Sequence, residues 1–136
     1  MLISSEYKKL QEELHVTNPE YGCASKVLAP YVIEVLNKYK IVDLLDYGSG
    51  KGRLRQSLSP NVNIHEYDPA IPEKSGQPEP QPLVVCLDVL EHIEPECLND
   101  VLADLQRVTT VLGLYSIATS PAKKVLSDGR NAHLII

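Results

Sequence analysis

The chain has 136 residues and a formal net charge of −5, with 43% hydrophobic and 23% charged residues. That length suits one domain with a single core, and the composition is that of a globular chain rather than a disordered or collagen-like one. The acidic balance makes nucleic acid an unlikely main partner, because phosphate recognition needs a basic face, and no apolar run reaches the roughly 18 residues of a membrane-spanning helix.

The first residues show no basic region followed by a long apolar core, so no signal peptide is expected. Cys23, Cys86 and Cys97 are odd in number and have no paired spacing. Cys86 lies in an apolar run and reads as a reduced core residue, which makes a cytoplasmic location the expectation.

Residues 6–15 carry Tyr7, Leu10 and Leu14 at helical spacing and predict a short helix, broken by Thr17-Asn18-Pro19-Glu20-Tyr21-Gly22. A second helix is expected over residues 25–39. Its apolar stripe is Val27, Leu28, Tyr31, Val32, Val35, Leu36 and Tyr39, and Pro30 confines its start to Leu28 or Ala29. The apolar run 41–45 reads as a buried strand. It leads into Asp46-Tyr47-Gly48-Ser49-Gly50-Lys51-Gly52 and then residues 53–58, which can start a helix. Residues 62–68 read as a second strand stopped by Pro69. Residues 69–82 hold five of the ten prolines and predict a loop.

The continuous apolar run 83–88 predicts a third, buried parallel strand. A helix is expected from Pro95 to about Val111, with Glu94 and Glu96 at its positive end and an inner stripe of Leu98, Val101, Leu102, Leu105 and Val108. The last clear strand is 114–119, residues 121–129 read as a loop, and residues 133–136 as the start of one more strand. Strands separated by helices predict a single α/β domain over residues 1–136, a Rossmann-like three-layer sandwich with a reduced, mostly parallel sheet. Its parts are N-terminal helices (1–39), a core (40–120) and a tail (121–136).

Ligands of such sheets bind beyond the C-terminal ends of the strands. Asp46, Asp68, Asp88 and Thr119 fall at predicted strand ends and are expected to line one crevice. The glycine turn between strand and helix points backbone N–H groups at a ligand, and its glycines let the ligand approach. Its spacing, D-x-G-x-G-x-G, matches neither the dinucleotide fingerprint nor the phosphate loop. An acidic residue just before the glycines repels a pyrophosphate and suits a ligand that carries an ammonium.

This heptapeptide resembles the first motif of the class I S-adenosylmethionine-dependent methyltransferases. Cys86-Leu87-Asp88-Val89-Leu90-Glu91-His92-Ile93 resembles the D-V-L-E-H-I segment of the same family, and the likeness covers roughly residues 40–120. Less specifically, the region of Tyr21-Gly22 and residues 128–133 look like segments of small methyltransferase-like proteins of phages and bacteria. The resemblance implies S-adenosyl-L-methionine as cofactor, with its methionine part cradled by Gly48, Ser49 and Gly50 and its ammonium received by Asp46. It implies that Asp68 holds the ribose, that Leu87 and Asp88 border the adenine and sulfonium region, and that Tyr21 closes over the methionine end.

The expected activity is methyl transfer to a small-molecule acceptor. The alternatives are a non-catalytic cofactor-binding subunit and an enzyme that cleaves the cofactor. His92 is a candidate general base or a residue packed under the next helix. His133, with Asp128, Arg130 and Asn131, forms a polar cluster where family substrate loops lie, or else a solvated tail. Glu91, His92 and Cys97 match no zinc spacing, so no metal site is expected. The family has a helix and strand where residues 69–82 stand, and further elements beyond residue 136. A sheet so reduced is expected either to be covered in a homo-oligomer or to belong to a truncated product.

Overall fold

Apolar runs bounded by glycine and proline become the inner strands. In the computed structural model, which describes residues 1–18 and 24–135, helices α1 (Ser5–Thr17) and α2 (Ala24–Tyr39) precede strand β1 (Asp43–Tyr47). There follow helix α3 (Arg53–Ser57), strands β2 (Asn63–Tyr67) and β3 (Gln81–Leu87), helix α4 (Leu98–Val108) and strand β4 (Thr109–Ser116). The four strands form one parallel sheet in the order β2-β1-β3-β4. The chain is α/β, a parallel sheet flanked by helices in the manner of a Rossmann-like sandwich. Its strand order reverses between β1 and β3, and the ends of those two strands make the switch point at which such sheets take ligands.

Alternation along the strands assigns the two faces. Leu44, Leu83 and Val85 pack with Val32 and Leu36 of α2 and Leu54 of α3. Leu45, Val84 and Cys86 face the other way and meet Val101, Leu105 and Val108 of α4. A third, smaller cluster joins Tyr7 of α1 to Leu126 and Ala132 of the C-terminal segment.

Several expectations are corrected. Helix α2 starts at Ala24, so Pro30 is inside it rather than in its first turn. Pro30 and Lys26, whose carbonyl loses its intrahelical partner, are both exposed, and water can satisfy that oxygen. Only part of the expected stripe is inward: Val27, Tyr31 and Tyr39 are exposed, whereas Ala29 joins the core. Helix α4, led in by a 3₁₀ turn at Pro95–Cys97, ends at Val108. The last strand therefore runs from Thr109 to Ser116, earlier than residues 114–119. The β-branched run Val108-Thr109-Thr110-Val111 favours extended backbone and lets the helix pass directly into the strand.

Strand β3 begins at Gln81, before the expected start, and its pairing with β4 shifts register between Gln81 and Leu83. Pro82 lies between them and has no N–H to donate. Residues 133–135 form no strand; the C-terminal segment has one isolated bridge, Val125 with Asn131. Within residues 69–82 there is a single 3₁₀ turn, Pro72–Lys74. No described helix is long and apolar enough to cross a membrane.

Candidate functional site

The glycine turn after β1 folds back on the neighbouring strand. The N–H groups of Gly48 and Ser49 both donate to the Tyr67 carbonyl, at 2.8 and 3.0 Å. Gly48 and Gly50 have φ of +83° and +51°, which disfavours side chains there. A Cβ on Gly48 would also stand 2.5 Å from Cγ2 of Val89, so the turn and the segment after β3 approach as closely as glycine allows.

Asp46 is 3% exposed, and its Oδ2 has no hydrogen-bond partner among the described residues. The Ser49 hydroxyl is in the same condition. Burial raises the Asp46 carboxyl to about 7, with the negative charges of Glu66 and Asp68 adding to the rise and Lys74 and Arg55 opposing it. A buried carboxylate oxygen without a donor is costly, and this one lies at the strand end where a ligand is expected.

Asp68 is buried and holds the turn. Its Oδ2 accepts from the Gly50 N–H at 2.9 Å and its Oδ1 from the Ala70 N–H at 3.0 Å. Each carboxylate oxygen can accept a second bond, which leaves capacity for a ligand hydroxyl. Glu66, two residues earlier, points elsewhere and is engaged by Arg55 and Lys74 at 2.9 and 3.0 Å. Lys74 also donates to the Gly50 carbonyl at 2.8 Å.

At the end of β3, Asp88 has φ +52°, a conformation costing a non-glycine residue about 1–2 kcal/mol. Strand β4 holds it there: the Asp88 N–H donates to the Ser116 carbonyl and hydroxyl, and the Ser116 hydroxyl donates to Asp88 Oδ1 at 2.7 Å. Ser116, not Thr119, ends β4; Thr119 is exposed and does not line the cleft.

Helix α1 forms the roof. Ser4 caps it, accepting from the Tyr7 N–H. Buried Glu94 ties that cap down, receiving the Ser4 N–H at 2.8 Å and its hydroxyl at 2.5 Å. The N-terminal ammonium pairs with Asp100. Between roof and sheet is a cleft of about 260 Å³. Its lining includes Asp46, Gly48, Ser49, Gly50 and Asp68 from the first two strand ends, and Leu87, Asp88 and His92 after the third. Tyr7, Gln11 and His15 line it from α1, and burial lowers the His15 imidazole.

His92 and His133, which line the cleft, come from two segments that meet beside it. Glu91 and His92 lie in a 3₁₀ turn, Leu90–His92. The C-terminal segment crosses it, with the Leu134 and Ile135 N–H groups donating to the Glu91 carbonyl. His92 Nδ1 meets the Ala132 carbonyl at 2.7 Å, His133 Nδ1 meets the Ser120 carbonyl at 2.6 Å, and the two rings stand edge to face, 4.8 Å between centroids. Burial lowers the His92 imidazole to about 4, so it is neutral at pH 7 and a weak base. Glu91 is 1% exposed; burial raises its carboxyl, its Oε1 accepts from the Ala118 N–H at 3.0 Å, and its Oε2 has no partner among the described residues.

Of the residues expected from the sequence, Asp46, Gly48, Ser49, Gly50, Asp68, Leu87, Asp88, His92 and His133 share this one cleft. Tyr21 lies outside the described residues. Asp128 and Arg130 pair with each other at 2.7 Å away from the cleft lining, and Asn131 braces the C-terminal segment through Ala122 and the His133 N–H. Cys97 sits by Glu94 at 3.7 Å and does not approach Glu91 and His92. Sequence reasoning missed the contribution of α1, which only tertiary packing brings over the sheet. It also missed the pairing of Glu91 with His133, whose long separation in the chain gives no local signal. No family model, no curated protein and no solved structure matches the chain.

Proposed function

We infer that this protein binds S-adenosylmethionine in the cleft and transfers its methyl group to a small-molecule acceptor. The observation that carries the reading is Asp46, a buried carboxyl at the end of β1 whose Oδ2 has no partner among the described residues, above a turn that admits no side chain at Gly48. That site calls for a compact cation that donates hydrogen bonds, and an amino-acid ammonium is one.

The other residues fit the remaining parts of the cofactor. Asp68 retains acceptor capacity for ribose hydroxyls beside the Gly50 backbone. Ser49 offers a hydroxyl with no partner among the described residues. Leu87 and Val89 give the apolar border that an adenine ring needs. When bound, the cofactor supplies an electrophilic methyl on a sulfonium. The protein's own task is alignment, because an in-line displacement gains most from holding two reactants in register. The roof of α1, tied by Glu94, covers the cleft from one side.

The test is calorimetric titration with S-adenosylmethionine and S-adenosylhomocysteine, with NAD and ATP as controls, followed by analysis of the mixtures for products. Micromolar binding of the first two alone supports the reading. Binding of NAD or ATP instead refutes it. Cofactor breakdown without an acceptor would replace transfer by cleavage.

A further inference from the structure

Glu91, His92 and His133 are not explained by cofactor binding. Each offers one ligand atom, and these atoms all lie within 4.8 Å of one another. We propose that the three side chains form a binding site for one divalent transition-metal cation where His92 and His133 border the cleft, a two-histidine, one-carboxylate set.

Three observations converge. Glu91 is 1% exposed, and its Oε2 has no partner among the described residues, a condition that a bound cation relieves. Each histidine has its Nδ1 on a backbone carbonyl, Ala132 for His92 and Ser120 for His133. A carbonyl only accepts, so each Nδ1 carries the proton and each Nε2 carries the lone pair. This is the outer-shell arrangement by which proteins fix the tautomer and ring direction of metal-ligating histidines. Thirdly, the scaffold is braced: Ala118 holds Glu91 Oε1, and Asn131 holds the His133 backbone.

Ligand atoms about 2.1 Å from a tetrahedral metal stand roughly 3.4 Å apart. The set here lies within 4.8 Å, wider than that, and side-chain rotations would have to draw it together. Edge-to-face packing of the two rings would account for the histidines alone, and it leaves the buried Glu91 oxygen unexplained.

Two imidazoles and one carboxylate suit manganese, cobalt, iron or zinc rather than magnesium or calcium, which prefer all-oxygen sets. Three protein ligands leave coordination positions open, the pattern of a catalytic rather than a structural site. His92 and His133 line the cleft, so a cation they hold would border it. A hydroxyl of an acceptor coordinated there would become more acidic, which suits an acceptor that is methylated on oxygen. That last step rests on the cofactor reading; the metal site does not.

The test uses the full chain, freed of metal with a chelator and titrated with Mn²⁺ and Co²⁺ by calorimetry. One equivalent is expected at micromolar affinity, with Mg²⁺ at least tenfold weaker, and Co²⁺ should give visible absorption from nitrogen–oxygen ligation. His133→Ala and Glu91→Gln should each weaken Mn²⁺ binding tenfold or more, with thermal unfolding as the check that they fold. Should either fail to fold, Mn²⁺ added to the unaltered protein is to broaden the ring NMR signals of His92 and His133 at lower metal ratios than those of His15 and His65. No stoichiometric binding, unchanged affinity in both folded variants, or broadening of all four histidines alike would overturn the proposal. Because S-adenosylhomocysteine is titrated separately, loss of metal binding with cofactor binding intact sinks only this inference, and the converse sinks only the cofactor reading.

Discussion

Replacing Asp46 by Asn separates stability from binding. Burial is the largest cause raising the Asp46 carboxyl, from 3.8 to about 7. The folded state therefore holds this proton more tightly than the unfolded chain, and the sign follows by linkage. The stabilising contribution is fully present below pH 4 and is lost as pH rises through 7. Ionising the group in the fold costs on the order of 4 kcal/mol, from a shift of about three units at 1.36 kcal/mol each. Asn keeps the shape and cannot ionise. Urea unfolding at pH 5, 6, 7 and 8 should find the free Asp46→Asn protein close to the wild type at low pH and more stable by about 2–4 kcal/mol at pH 8. The same variant should bind S-adenosylhomocysteine more weakly by about 1.5–3 kcal/mol, the worth of a hydrogen bond to a charged group. In the wild type, binding near pH 6 should release a proton, read calorimetrically in buffers of different ionisation heat. A stability difference independent of pH, or a variant less stable at pH 8, would refute the account of Asp46 as an ionisable group held for a cation.

Gly48→Val should abolish cofactor binding and destabilise the fold by about 1–3 kcal/mol, because φ is +83° and the new Cβ meets Val89. Adding Val89→Ala should recover part of the stability, and a double-mutant cycle by urea unfolding measures how much. Asp68→Ala removes the acceptor of the Gly50 and Ala70 N–H groups, so affinity and stability should both fall by about 1–3 kcal/mol in calorimetry and melting. Glu94→Ala frees the cap of α1; hydrogen exchange should then quicken across α1 and spare β1 and β3. Cys86 is buried and its thiol is pushed up by burial, so iodoacetamide at pH 8 should label it only after denaturant is added.

Features that depend on near neighbours were legible along the chain. Continuous apolar runs named the buried strands β1 and β3, since a parallel strand covered on both faces has no polar alternation. The glycines of the first turn and the acids at the strand ends were legible because a strand delivers its last residue to the same edge of the sheet every time. Boundaries fared worse where two local preferences competed: helical spacing ran past Val108, and β-branching of Thr109 and Thr110 ended it.

Tertiary structure alone decided the rest. Whether Val27 or Ala29 of α2 faces inward depends on how the helix is rotated on the sheet, and both sit on plausible stripes. The roof of α1 depends on Glu94 reaching back to Ser4, a contact between residues ninety apart. The meeting of Glu91 and His92 with His133 depends on the C-terminal segment crossing a 3₁₀ turn, held by backbone N–H groups to a single carbonyl. Such contacts arise from the closing of long loops, whose favourable terms are absent from any short window of sequence.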